Sequence, residues 1–254
     1  MKKVFTVFAI CFFVLSFSFS TTLDFDDLIN RLDIKKDVEA LAKDIGSVLA
    51  GGMFHSGRTL ALVPGIDVGF CTSIAMKPSE KNLILQDTIG KKPFGLPYIQ
   101  LSKGLPYGFD ITLRGFPESQ GLKSLGAGVK YGIIEKEIAV VKLGLSAMYS
   151  YNQLQHSDFK ATTNSFAGIF SVKIPVTEPY LGVAIDSTKL ETDFSAIELT
   201  GQPVGANENK SVSVSEPRYV LGLNFSLIPF TYINVAGTYS VDHYGVDFGL
   251  GVKF

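Results

Sequence analysis

From Thr59 onward, apolar and polar residues alternate. Ile66, Val68, Phe70, Ile74 and Met76 stand against Asp67, Gly69, Cys71, Ser73 and Ala75, a period of two that predicts a strand with one apolar face. The same reading holds for Leu125 to Ile133, where Gly126, Gly128, Lys130 and Gly132 take the other face, and for Val141 to Tyr151, which sets Lys142, Gly144, Ser146 and Ser150 opposite. Tyr219, Leu221, Leu223, Phe225 and Leu227 oppose Arg218, Gly222, Asn224 and Ser226. Less regular strands are predicted over 96–101, 109–114, 166–174, 180–186 and 232–240, and the chain closes on "HYGVDFGLGVKF". The pattern predicts about ten strands, within eight to twelve, over residues 59–254.

The stretch before them has a different period. Ile34, Val38, Leu41, Ile45, Val48 and Leu49 recur at helical spacing, charged residues fill the opposite face, and Gly51 with Gly52 stops the pattern. Residues 21–58 are therefore expected to form an amphipathic helical segment. Residues 1–20, "MKKVFTVFAICFFVLSFSFS", have two lysines, an apolar run and small residues at Ser18 and Ser20, which predicts a secretory signal peptide cut after Ser20. Its removal leaves Cys71 without an internal disulfide partner.

No later segment approaches 18 continuous apolar residues, so a membrane location would require a closed barrel, where every backbone polar group is paired without water. Alternation alone also fits a soluble sandwich, whose apolar faces point inward. Strands of membrane-spanning length, the leader and the aromatic strand ends Tyr149, Tyr151, Tyr244 and Phe254 favour the barrel, with its apolar face toward lipid and rings at the interfaces. Connections alternate: long polar segments are expected over 77–95, 115–124, 152–164 and 187–217, with short turns between them and a short last link at "VDHYG". Long outer loops and short periplasmic turns have this rhythm.

The last strand, with Phe248, Leu250, Val252 and terminal Phe254 on one face, resembles the carboxy-terminal signal of bacterial outer-membrane β-barrel proteins. That resemblance implies recognition by the barrel-assembly machinery and a place in the cell outer membrane. The order of helix, "GGMFHSGRTLALVPGIDVGF" and strands is similar to an uncharacterised family of outer-membrane barrels with an amino-terminal helical segment. It also resembles, more broadly, long-chain fatty-acid channels with an amino-terminal hatch.

Charge sharpens this picture. The net charge of -1 gives no basic face for nucleic acid. The positions read as inward, Asp67, Asp110, Arg114, Lys130, Lys142, Lys173, Arg218, Asp247 and Lys253, hold six bases and three acids, whereas residues 21–47 hold seven acids and four bases. That balance suggests a helix lodged as a plug, with Asp37, Glu39 and Asp44 pairing with lumen groups such as Lys130, Lys142 and Arg218; the alternative is a helix lying in the periplasm below the barrel, with the inward charges as the mixed filling of any small barrel.

Candidate chemistry is sparse. Ser240, Asp242 and His243 lie together, but neighbours on a strand point to opposite faces and cannot orient one another. His55 and His156 lack a second ligand at metal spacing. The expectation is an all-β, antiparallel, up-and-down transmembrane barrel with no catalytic residues, cofactor or metal. It is expected to contact outer-membrane lipid and to act as a narrow or gated passive channel for small, including apolar, solutes. The alternative is a structural or surface-interaction protein.

Overall fold

The computed structural model describes residues 34–119, 121–156, 159–192, 211–241 and 243–254. The expected leader at 1–20 and the start of the helical segment at 21–33 lie outside the described residues. The first element is helix α1 (Ile34–Ala50), followed by strand β1 (Ile66–Ala75) and a short helix α2 (Leu83–Ile89). Nine more strands complete the chain: β2 (Phe94–Leu105), β3 (Phe109–Ser119), β4 (Leu122–Ile138), β5 (Val141–Gln155), β6 (Phe159–Lys173), β7 (Thr177–Thr192), β8 (Ser211–Phe225), β9 (Thr231–Ser240) and β10 (Tyr244–Lys253).

Each strand pairs antiparallel with its sequence neighbours, and β1 pairs with β10 from Asp67↔Lys253 to Ala75↔Gly245. The sheet is thus a closed barrel with no free edge. One end carries Ile66, Phe254 and the short turns after β2, β4, β6 and β8; we call it the terminal end. The other, the loop end, carries the long β1–β2 and β7–β8 connections.

The apolar faces point outward. Leu125 is 67% exposed, Phe166 64%, Ile185 60% and Leu221 69%, a continuous apolar surface that is stable against lipid and not against water. Toward the loop end this belt stops at a line of rings. Tyr149 pairs with Phe166 across β5–β6, and Tyr219, Tyr239 and Tyr244 are successive partners across β8, β9 and β10. Beyond it the outward positions become Thr162, Asn164, Ser187, Lys189, Ser213 and Ser215.

That change of surface explains where the expected loops went. The segments 115–124 and 152–164, read as long loops, are hairpin tops: β3 runs to Ser119 and β4 starts at Leu122, while β5 runs to Gln155 and β6 starts at Phe159. Their outward residues are polar because they stand in water above the belt, while Leu154 and Ala161 stay buried inside. Of the 187–217 segment, β7 takes the residues up to Thr192 and β8 those from Ser211, while residues 193–210 lie outside the described residues.

Candidate functional site: the occupied lumen

A helix some 10 to 12 Å across fits a small barrel closely, and α1 lies inside this one. Val38, Ala42, Ile45 and Leu49 are buried with Leu96, Leu154, Ala161 and Leu190 of the wall and Ile84 of α2. The helix starts at the loop end, where Asp44 accepts hydrogen bonds from Ser79 N–H at 3.1 Å and from the Asn82 amide, and meets His243 Nε2. Lys43 pairs with Glu216 at 2.8 Å, and His243 Nδ1 lies 3.7 Å from Glu216.

Halfway down, the helix ends on two arginines. A helix leaves its last carbonyls without intrahelical donors, and these accept from the wall: Arg114 Nη2 donates to Leu49 O and Nη1 to Gly51 O, both at 2.6 Å, while Arg218 Nη2 donates to Ala50 O at 3.3 Å. Cations at a helix C-terminus are also favoured by the macrodipole. Each guanidinium is itself held, Arg114 by Asn152 at 2.9 Å and Arg218 by Asp186 at 2.6 Å. Gly52 N–H then donates to Asp247 at 2.8 Å.

Below Gly52 the chain continues through the lumen as an irregular strap. Met53 and Phe54 enter a second apolar cluster with Met148, Ile169 and Tyr180. Gly182 makes room for this, since a Cβ there would lie 2.5 Å from the Phe54 ring. From His55 on, the strap is held by polar side chains. Asn224 donates to His55 O, Ser56 Oγ donates to Glu178 at 2.6 Å, and Gly57 N–H donates to Ser171 Oγ at 3.0 Å. Lys130 donates to Arg58 O at 2.7 Å, and Leu60 N–H donates to Asp110 at 2.9 Å. Two cavities among the described residues are small: one of about 10 Å³ beside Ser47 and His243, and one of about 20 Å³ lined by Phe54, His55, Asp67, Asp110, Lys130 and Lys253. Each is the size of a water molecule or two.

Of the nine residues read as inward, Asp67, Asp110, Arg114, Arg218 and Asp247 are buried in the lumen, and Lys130 and Lys253 line the larger cavity. Lys142 and Lys173 lie on the inward rows but at the terminal rim; Lys142 pairs with Glu137 at 2.9 Å and Lys173 reaches Ser226 at 3.4 Å. The charge pairing itself differs from expectation. Asp44 meets His243, Asn82 and Ser79, Lys130 pairs with Asp110 at 3.1 Å, and Arg218 takes Asp186 and a helix carbonyl. Glu39 is half-buried on α1, and the side chain of Asp37 lies outside the described residues. Phe248, Leu250 and Val252 sit on the outward face of β10 and Phe254 at the rim. Ser240 donates to Pro217 O at 2.9 Å, while Asp242 lies outside the described residues. The reading from sequence missed Asp186, Glu178 and Glu216, whose clue was their place on alternate positions of β7 and β8.

A closed antiparallel sheet, apolar outside and polar where it meets its own filling, is an outer-membrane β-barrel. Within that class the chain belongs to the family of unknown function DUF6588, whose model matches residues 87–254. Solved structures with similarity to the chain include neisserial surface protein A, at 12% identity and TM-score 0.36, covering 74% of this chain and 97% of that one. The KdgM porin in complex with disordered oligogalacturonate is 8% identical with TM-score 0.37, covering 74% and 99%. The translocator domain of the autotransporter NalP from Neisseria meningitidis is 12% identical with TM-score 0.35, covering 88% and 100%. No curated protein matches by sequence.

Proposed function

We propose that the protein is a sealed outer-membrane barrel that works as a structural or surface-interaction protein, with the loop end facing out of the cell. The observation that carries this reading is the filling of the lumen by α1 and the strap, which pack against the wall from β1 to β10 with cavities of about 10 and 20 Å³ beside them among the described residues. A porin needs a continuous aqueous path, and here the filling is tied to the wall through Arg114, Arg218, Asp247, Asn224 and Ser171. With the lumen closed, the surface left to meet a partner is the loop end: α2, the tall β5–β8 hairpins and their polar outer faces. No catalytic step belongs to this reading.

A gated channel for small solutes is the second reading. It is favoured by the polar anchors of the lower strap, which water can replace if the strap moves. Planar-bilayer recording separates the two. The sealed barrel should show no conductance steps across a wide voltage range, whereas steps that vanish when Gly52→Cys, at the head of the strap, is oxidised onto Cys71 would establish the gate. These positions suit a tether because a Cβ at residue 52 would lie 3.9 Å from Cys71 Cβ, within the range a disulfide spans.

A further inference from the structure

The hoop closes without a free edge, yet one hairpin runs past it at the terminal end. β3 accompanies β4 only as far as Tyr131, which stands opposite Phe109, whereas β5 accompanies it to Ile138, opposite Val141. From Ile133 to Ile138, about 17 Å of extended chain, β4 therefore has a partner on one side alone. Among the described residues no backbone hydrogen bond reaches its other side. The consecutive charges Glu135, Lys136 and Glu137 are exposed and hold this overhang in water, beyond the lipid-facing belt.

An unpaired strand edge is a template for another strand, and proteins usually blunt it with a proline, a charge or a covering element. Here the blunting is incomplete. Residues 132–141 contain no proline. Glu135 is committed to the strap, accepting from Thr59 N–H and Oγ at 2.6 Å, and Glu137 pairs with Lys142 at 2.9 Å across the hairpin. Lys136 remains, and sets a charge for a partner to match. Around these three, Ile133, Ile134, Ile138 and Val140 are exposed, and such β-branched residues favour the extended chain. The bonds from Thr59 fix the base of the hairpin to the filling of the lumen, so the edge is held in place.

We infer that this edge of β4 is a docking site for an extended segment of a second protein, added to the sheet as a further strand through main-chain hydrogen bonds. Side chains set its chemistry. Ile134, Lys136 and Ile138 share the face of Leu143 and Leu145, while Glu135 and Glu137 share the face of Lys142. Opposite residues on neighbouring strands meet, so the segment that fits carries bases opposite the two glutamates, an acid opposite Lys136 and apolar residues opposite Ile134 and Ile138. A second copy of this chain does not fit. Two barrels in one membrane are related by an axis along its normal, and strands tilted about 40° then cross at about 80°, too steeply to share a ladder. With the orientation proposed above the partner is periplasmic; the edge itself does not depend on that orientation.

The test uses the full-length protein in lipid nanodiscs of one barrel each and a synthetic peptide with the central sequence Val-Arg-Glu-Arg-Val, which matches the edge in either strand direction. Hydrogen–deuterium exchange at residues 133–138 should slow about ten-fold with millimolar peptide and stay unchanged in the β8–β9 turn. The same peptide N-methylated throughout should have no effect. Discs leave both ends of the barrel in water, so this result stands apart from the orientation and the sealing of the lumen. A natural occupant is tested in native envelopes. There Lys136→Cys, in a Cys71→Ala background, should react with maleimide several times more slowly than in discs, whereas Tyr107→Cys on the neighbouring β2–β3 turn should react alike in both. Unchanged exchange, slowing by the N-methylated peptide as well, slowing that sets in with protein concentration alone, or equal labelling at 136 in envelopes and discs overturns the inference.

Discussion

The two halves of the lumen are filled by the same chain in different ways: apolar side chains packed around a helix at the loop end, and polar side chains clasping an irregular strap at the terminal end. The difference follows from the backbone. Inside α1 the peptide groups satisfy one another, so the wall need only offer Leu96, Leu154, Ala161 and Leu190 to Val38, Ile45 and Leu49. Residues 52–60 have no such internal ladder, and buried peptide groups must find partners. The wall supplies them one by one through Asp247, Asn224, Ser171, Lys130 and Asp110. Arg114 and Arg218 stand at the boundary, where the helix runs out of donors.

The largest test of this contrast is deletion. Removing residues 21–52 empties the loop-end half alone, and the remaining strap should keep conductance small; removing 21–62 should open the barrel and give a far larger conductance in planar bilayers. Equal conductance in the two deletions would show that the helix alone forms the seal. Next comes the boundary. Arg218→Met leaves Asp186 buried beside a carbonyl with no donor, and should cost about 3 to 5 kcal/mol in urea unfolding from detergent micelles.

A smaller effect should separate the halves residue by residue. Leu49 is fully buried, and Leu49→Ala should cost about 2 to 5 kcal/mol through the cavity it leaves. Ser56→Ala removes one hydroxyl from Glu178, which keeps Ser171 at 2.9 Å, and should cost about 1 kcal/mol. The same unfolding assay reads both; a larger loss for Ser56→Ala would reverse the assignment of apolar packing above and hydrogen bonding below.

How much of this was legible in the sequence depends on how local the cause is. Strand alternation is written residue by residue, so all ten strands and the outward face of β10, from Tyr244 to Phe254, could be read directly. The tops of β5 and β6 were hidden because Gln153, Gln155, Lys160 and Thr162 face water although they belong to strands. The site was harder. Tyr98, Tyr180 and Tyr232 are buried within the lumen, a place for rings that exists only because the lumen is packed. The charge balance pointed to an occupied barrel, but the main partners of Arg114 and one of the three partners of Arg218 are carbonyl oxygens, which every residue has and no sequence marks.

The order of the parts along the chain has a consequence for how the molecule is made. The helix and strap precede every strand, and the β1–β10 pairing joins the first strand to the last. The groups that clasp the leading segment come from all round the wall, from Gln100 of β2, which donates to Met53 O, to Asp247 of β10, which accepts from Gly52 N–H. The seat of the leading segment is therefore complete only when the last strand is in place, and the segment stands ready as a mandrel for the sheet that closes around it.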